Sequence, residues 1–377
     1  MPEYYHSDNV TITPFNRHDK ENYPGYMVRS IAVNIVESPE KSLALWISAP
    51  GIPEEAAERL RAWWERAQRV YPTATQKAWR CDWAVFLTFC EPSRACPLPA
   101  ASETVATFVA QCRIEGKKPA TVRRYLSTIA LAHRVAKIIN PCADEAVQLE
   151  LKGLYNALSA RQRQARALGW AEIKRFLETA GESLPATRER ALVCVAYDTM
   201  ARRSELVALE LEDFDFLPDG TGRALIRRSK TDQAGEGNTA YLSRTTVRYL
   251  KLWLGAAVVT EGAVFRRVIG RGTAQDLPVG RGRIGERLSV DAIAQAFKRV
   301  AKWIMMPADE VAQVSGHSIR VGATQDLLAL NIDLASVMQA GRWKTNRMPM
   351  RYGEHVLAAR GGMSRAAEKQ GRDSIDT

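Results

Sequence analysis

Residues 314–323 read VSGHSIRVGA, and the meaning of this decapeptide decides how the rest of the chain is understood. His317 and Arg320 stand three apart in a chain with only 5 histidines. At helical spacing, positions i and i+3 share one face, so both side chains point at the same object. Ser315-Gly316 just before them reads as a helix start, where backbone N–H groups without intrahelical partners favour an anion. Two cationic donors at such an end suit a phosphate. In isolation an H-x-x-R pair more often means a histidine capping a surface helix beside a solvated arginine, so the surroundings must decide.

Composition narrows the choice. At 377 residues the chain is long enough for two domains with full cores. Its 46% hydrophobic and 25% charged residues are ordinary for a globular protein, but a net charge of +11 is not. That excess points to a polyanionic partner, nucleic acid before membrane. Met1–Val10 (MPEYYHSDNV) has no basic stretch leading into an apolar one, so no secretory signal is expected. No run approaches the roughly 18 apolar residues of a membrane span. A cytoplasmic protein with no membrane partner is expected, bacterial and nucleoid-associated or encoded by a phage or plasmid. Cys81, Cys90, Cys96, Cys112, Cys142 and Cys194 form no C-x-x-C, and no histidine pair has zinc-ligand spacing. Neither disulfides nor a metal site is expected, and no cofactor.

Working outward, residues 1–50 are polar and proline-interrupted and are expected to be a flexible arm. Apolar residues then recur at 3.6-type intervals in 54–71, 73–90, the stretch from Ser102 to a stop at Gly116, 118–137 and 143–164. Thr73 reads as a helix N-cap. Five helices and no convincing strand make 51–160 an all-α domain. The basic segment ARQRQARALGW (160–170) loses the periodicity, placing an interdomain linker at 161–169. The second domain, 170–377, opens with helices over 170–180 and 187–201. The period then changes: LEDFDFLPDGTGRALIRRSKTDQAGEGNTAYLS (211–243) carries two Gly-containing turns and reads as three short antiparallel strands. RRVIGRGTAQDLPVGRGRIGER (266–287) reads as a Gly/Arg-rich loop, and 289–304 as a helix capped by Ser289.

Four separated pieces line up with one another. TMARRSELVALELEDF (199–214) carries Arg202, Arg203 and Glu205; RRSKTDQAGEG puts Lys230 at a hairpin tip; the opening decapeptide follows; and MQAGRWKTNRMPMRYGEH (338–355) places Trp343 nine residues before Tyr352. The order Arg…Lys…His-x-x-Arg…Trp…Tyr resembles the tyrosine site-specific recombinases of the phage integrase family, and within them the Cre-like group. The likeness runs over about residues 190–355 and includes the text SGHSIRVGATQDLLALNIDLASVMQAGRW. It implies a mainly α fold in two domains, a helical core DNA-binding domain followed by a helical catalytic domain with a small antiparallel sheet. Position by position it implies catalytic roles for Arg202, Glu205, Lys230, His317, Arg320, Trp343 and Tyr352. Arg203, next to Arg202, is the alternative first arginine. Two departures stand out: Arg342 occupies a place where the Cre-like pattern has glycine, and Pro349 lies three residues before Tyr352. Proline is tolerated in a first turn and can start the short helix bearing the tyrosine.

The chemistry behind the pattern is physical. A phosphodiester repels nucleophiles, and its transition state gathers charge on the non-bridging oxygens. Arg202 and Arg320 suit those oxygens as bidentate cationic forks. His317 is a further donor and can help handle the tyrosine proton. Trp343 offers an indole N–H, and Glu205 is expected to orient a neighbouring cation. Tyr352, activated beside this cluster, attacks phosphorus. Lys230 is placed to protonate the departing 5′-oxygen. The resemblance implies a 3′-phosphotyrosine intermediate, two protomers on the inverted arms of one double-stranded DNA site, and a tetramer on two sites. The tail after Gly361 is expected to form a terminal assembly helix. Lys117, Lys118, Arg123 and Arg124 are expected to face phosphates, with linker arginines Arg161, Arg163 and Arg166 crossing the duplex. The alternatives are a telomere resolvase or type IB topoisomerase-like enzyme, and an idle DNA-binding regulator of the same fold.

Overall fold

The computed structural model describes residues 51–158, 163–227, 236–269 and 283–372. The chain divides into two compact units, Met1–Gln162 and Arg163–Thr377. The expected arm, residues 1–50, lies outside the described residues.

The described part of the first unit is helical, as its periodicity dictates. Its helices are α1 (Glu54–Val70), α2 (Thr73–Cys90), α3 (Ser102–Ile114), α4 (Pro119–Ala136) and α5 (Glu145–Ala157). The apolar stripes converge on one core that includes Leu60, Trp83, Phe86, Phe108, Val122, Ile129, Val147 and Leu154. Thr73 and Ser102 are the first helical residues; Pro72 and Ala101 hold the N-cap positions, neither with a side-chain cap bond. Pro72 gives an extended entry (φ −56°, ψ 143°) and has no N–H that would need satisfying there. Gly116 ends α3 as expected, with φ +68°. The last helix is shorter than its pattern suggested, because Asp144 caps it at Ala146 N (2.9 Å) and it stops at Ala157.

In the second unit, α6 (Trp170–Thr179) and α7 (Leu184–Thr199) come first. α7 is buried on nearly all sides, so its apolar residues show no single stripe. It begins three residues earlier than its sequence pattern suggested, because Ser183 caps it. The short α8 (Arg203–Ala208) leads into the expected three-stranded antiparallel sheet: β1 (Phe214–Phe216), β2 (Gly222–Ile226) and β3 (Asn238–Leu242), ordered β1-β2-β3. Phe216 pairs with Gly222, and Gly222 with Leu242. Helix α9 (Arg244–Ala256) follows. The segment expected to be a Gly/Arg-rich loop is different at its ends: β4 (Arg266–Ile269) and β5 (Arg283–Arg287) pair antiparallel, with an irregularity between Arg266 and Val268. Val268 and Ile284 supply a β face that the surrounding arginines and glycines hid.

The remainder is α10 (Val290–Trp303, capped by Ser289), α11 (Ala308–Gln313), α12 (Ser318–Ala329), α13 (Leu334–Gly341), α14 (Arg347–Tyr352), α15 (Glu354–Arg360) and α16 (Gly362–Lys369). Residues 163–169, read from sequence as linker, pack into this unit. Arg166 N donates to Gln313 O (3.2 Å) and Leu168 N to Ser318 O (3.0 Å), and the Leu168 side chain is fully buried. Their closeness to α12 depends on Gly322, where any Cβ would run into the Leu168 carbonyl and the Gly169 nitrogen. Among the described residues, no helix is long and apolar enough to cross a membrane.

Candidate active site

The decapeptide sits at the head of α12. The helix starts later than expected, at Ser318, with His317 in the N-cap position. Ser315 closes the turn: its N–H donates to Ser318 Oγ (2.9 Å) and its Oγ accepts from His317 N (3.2 Å). His317 is exposed at this end, while Arg320, one turn further, is only 3% exposed. A charge buried so deeply needs partners. The Arg320 guanidinium donates to the main-chain carbonyls of Met200 and Gly341, and it lies 4.3 Å over the Trp343 ring. Met200 ends α7 in the left-handed region (φ 47°), which turns its carbonyl out of the helix.

The next residues build the second cation. Arg202 is the N-cap of α8; its N–H donates to Glu205 Oε2 (2.9 Å) and its Nη1 to Glu205 Oε1 (2.7 Å). Glu205 is 5% exposed, and its other partner is Arg342, whose Nη2 donates to Oε2 at 3.0 Å and whose Nη1 donates to Thr199 O at 2.7 Å. Arg203 turns the other way, to Asp291 (3.1 Å). Arg202, and not its neighbour, therefore shares a carboxylate with the buried cluster.

Arg342 is the residue that sequence reading flagged only as a departure. It caps α13 in the left-handed conformation (φ 54°), a place glycine fills at no steric cost. The strain of an arginine there is offset by its guanidinium reaching Glu205. The signal available in the sequence was an arginine at a glycine place; its partner Glu205 is 137 residues away, and only the folded chain joins the two.

Charge in the cluster is lopsided: Arg202, Arg320 and Arg342 face one carboxylate. Burial pulls the Arg320 pKa down to about 9, and the Arg202 and Arg342 charges push the same way, against Glu205 and Tyr352. Burial alone would raise the Glu205 pKa, but the Arg202 backbone and side-chain bonds, with the Arg342 and Arg202 charges, hold it below the usual carboxylate range. Arg342 is lowered by burial despite Glu205. Such a site is short of negative charge.

Tyr352 closes α14, with Pro349 buried in that helix's first turn. Its ring meets Trp343 edge-on, centroids 6.0 Å apart and planes at 72°. The Trp343 ring thus meets both the Arg320 guanidinium and the tyrosine. A Cβ at Gly341 would fall inside the Trp343 ring, so the indole packs directly on the main chain. Arg202, Glu205, Arg320, Trp343 and Tyr352 come together; His317 lies at the exposed edge of the same helix as Arg320. Lys230 and Arg161 lie outside the described residues.

The expected DNA-facing residues have varied surroundings. Lys118, Arg123, Arg124 and Arg163 are exposed, and Lys117 pairs with Glu115 (3.4 Å). Arg124 is anchored by the buried Asp82 at 2.7 Å. Arg166 is taken up by Glu310 (2.5 Å), Glu172 (3.3 Å) and the Ala167 carbonyl (2.6 Å), bonds that fix segment 163–169.

Comparison with known proteins finds a family match. The model of the phage integrase family matches residues 167–358, just over half of the chain. An integrase/recombinase XerD homolog of Selenomonas ruminantium is 27% identical over 288 residues, 74% of this chain and 80% of that protein. Recombinase Cre of Escherichia phage P1 is 24% identical over 306 residues, covering 76% and 87%. Among solved structures, the XerH site-specific recombinase in a post-cleavage complex with palindromic difH substrate superposes with a TM-score of 0.54. It is 16% identical over 88% of this chain and 98% of that one, a likeness of fold.

Proposed function

The chain belongs to the phage integrase family, and on that premise we propose that it is a site-specific DNA recombinase that cuts and rejoins strands through Tyr352. The observation that carries the reading is the anion-poor cluster of Arg202, Arg320 and Arg342 around Glu205, with the Trp343 ring touching both Arg320 and Tyr352. A buried group of cations with too few carboxylates is a preorganised receptor for a phosphodiester. The fold has already assembled and desolvated these charges, so they need not reorganise as the reaction proceeds.

The step follows from this arrangement. Arg202 and Arg320 bind the non-bridging oxygens, with Glu205 and Arg342 orienting Arg202. Tyr352 Oη attacks phosphorus and gives up its proton, which His317 helps to accept. The bond to the 5′-oxygen breaks as the new O–P bond forms, and Lys230 supplies the proton that the departing oxygen needs. The phosphodiester energy is conserved in a 3′-phosphotyrosine. A 5′-hydroxyl from another strand reverses the step on a new partner, without ATP.

Double-stranded DNA is the partner. Lys117, Lys118, Arg123 and Arg124 of the first unit and Arg163 of the second are the proposed phosphate contacts, and Arg166 supports them by anchoring its segment. Two protomers on inverted repeats and a tetramer on two sites complete the proposal. Truncation after Gly361 should then spare DNA binding and impair assembly.

The test works without a defined target site. Purified protein is incubated with total DNA of its source, quenched in detergent and digested, and the peptides are read by mass spectrometry. A nucleotide on Tyr352, absent from Tyr352→Phe, is the expected result, and the attached DNA reports the site. Tight DNA binding with no adduct in repeated trapping would instead favour the idle regulator.

A further inference from the structure

The hydroxyl of Tyr352 is what reacts, but two side chains from separate elements hold its main chain. Gln164 Nε2 donates to Tyr352 O at 3.0 Å, and Gln325 Nε2 donates to the same oxygen at 2.9 Å. A carbonyl has two lone pairs, and here amide donors meet that oxygen from two sides. Because the acceptor is a carbonyl, both glutamines must present nitrogen. The position matters: Tyr352 is the last residue of α14, so its carbonyl is among those that a helix end leaves without an intrahelical partner.

The two donors have different neighbours. Gln325 belongs to α12, the helix that also carries Arg320 and follows His317. On the same side, Leu328 of α12 fills the space a Cβ would need at Gly353, directly after the tyrosine. Gln164 comes from the strap at 163–169 and is only the second residue of the second unit. The strap is fixed from Arg166 onward by the bonds to Gln313, Glu310, Glu172 and Ser318, and by Trp170 N on Asp326 Oδ2 (2.6 Å). Gln164 lies ahead of all these pins, where the chain arrives from the first unit.

Resting on the recombinase reading, we propose that Gln164 and Gln325 are positioning residues for the nucleophile, and that Gln164 makes Tyr352 sensitive to the connection between the two units. Gln325 fixes the tyrosine to the helix that carries the phosphate-binding arginine. Gln164 fixes it to the first residues after the unit boundary, so a change in how the chain enters the second unit is passed to the Tyr352 backbone. The phenol stands at the far end of its side chain, which magnifies any tilt of the backbone. A misplacement of about 1 Å at reacting atoms is enough for a loss on the order of a hundredfold.

The experiment uses the full chain and the DNA fragments recovered with the wild-type adduct. Single-turnover adduct formation, DNA Kd and thermal midpoint are measured for Gln164→Ala, Gln164→Glu and Gln325→Ala. The expected result is adduct formation slowed about tenfold or more in each, with Kd and midpoint at wild-type values. Glu keeps the shape of Gln but cannot donate at neutral pH, so it should fail like Ala; a residue that merely packs would tolerate it. For the coupling, two glycines are inserted between Gln162 and Arg163. They should slow the wild type but add nothing in the Gln164→Ala background. Wild-type adduct rates in Gln164→Ala and Gln325→Ala would overturn the positioning role, and an insertion effect undiminished by Gln164→Ala would overturn the coupling. If the wild-type protein itself forms no Tyr352 adduct, the recombinase reading falls, and this inference with it.

Discussion

Glu205→Gln is the most revealing single change, because one carboxylate serves two arginines. Its side chain is 3% exposed, the Arg342 side chain 6% and the Arg202 side chain 18%. Glutamine keeps the size and one acceptor oxygen but removes the counter-charge, leaving Arg342 and Arg202 facing Arg320 without compensation. Breaking a buried ion pair from one side costs about 3–5 kcal/mol. The lower end, about 3 kcal/mol, applies here, since glutamine can still accept one bond and Arg202 reaches solvent. For a unit of this size each kcal/mol moves the midpoint by about 2–4 °C, so the transition of the second unit should fall by about 6–12 °C. Differential scanning calorimetry on the full chain, free of DNA, reads this. Glu286→Gln is the control, because that side chain is 91% exposed and only 3.6 Å from Arg267, a pair worth about 1 kcal/mol at most. The pH dependence has a definite sign. The Glu205 pKa is depressed in the folded protein, so its contribution is complete above the unfolded value near about 4.3 and fades as pH falls through the folded value. The gap between wild type and Glu205→Gln should therefore narrow in acid below about pH 4. If Glu205→Gln melts within about 1 °C of Glu286→Gln at pH 7, the carboxylate is not what holds the arginine cluster together.

Three further outcomes test neighbouring parts of the site. Arg342→Gly should leave stability within about 1 kcal/mol of wild type, because glycine relieves the left-handed backbone while Arg202 still holds Glu205. Adduct formation on Tyr352 should nonetheless slow about tenfold, a loss of about 1.4 kcal/mol, and an unchanged rate would remove Arg342 from the site. Trp343→Phe should keep cleavage within about fivefold, since the ring face under Arg320 survives at a difference of about 1 kcal/mol, whereas Trp343→Ala should lose far more. Equal losses in the two would show that the indole N–H, rather than the ring, is what the reaction uses. Gly322→Ala drives a methyl into the Leu168 main chain and should cost about 3 kcal/mol in urea unfolding. Gly255→Ala, with nothing within 4 Å of the new methyl, should cost nothing or stabilise by up to about 1 kcal/mol.

What sequence made legible follows the range of the forces involved. The helices of the first unit could be read because each buries a single stripe, as with Leu60, Trp64 and Ala67 on α1. α7 and α12 were harder to bound, since burial on nearly all sides erases the stripe; Ser318, Arg320 and Thr324 are as buried as Ile319. The β4–β5 pair escaped notice because arginines and glycine interrupt its alternation, leaving Val268 and Ile284 to mark the inner face. The order of side chains along the chain singled out Arg202, Glu205, Arg320, Trp343 and Tyr352 as one group, and the fold brings these five together. Gln164, Gln325 and Arg342 were invisible to that reading. Their work is done across 188, 27 and 137 residues of separation, and nothing local in the sequence announces a glutamine that meets a carbonyl that far away.

The same distances bear on why the site is built as it is. A cluster with three guanidinium groups and one carboxylate is unfavourable in the free protein, because burial and then the Arg202 and Arg342 charges both act against the charged form of Arg320. It persists because each cation is tied to something that cannot move away. Arg320 is bound to two main-chain carbonyls, Arg202 to the carboxylate of its own helix, and Arg342 to that carboxylate and to Thr199 O. A DNA phosphate would supply the missing negative charge at the moment of binding, so part of the repulsion held in the free protein is relieved by the substrate. The tyrosine is treated differently: none of these cations need hold it, because its backbone is fixed by neutral amides from the strap and from α12. On the recombinase reading, charge is thereby left for the phosphate, and neutral amides that salt and pH leave alone hold the backbone of the proposed nucleophile.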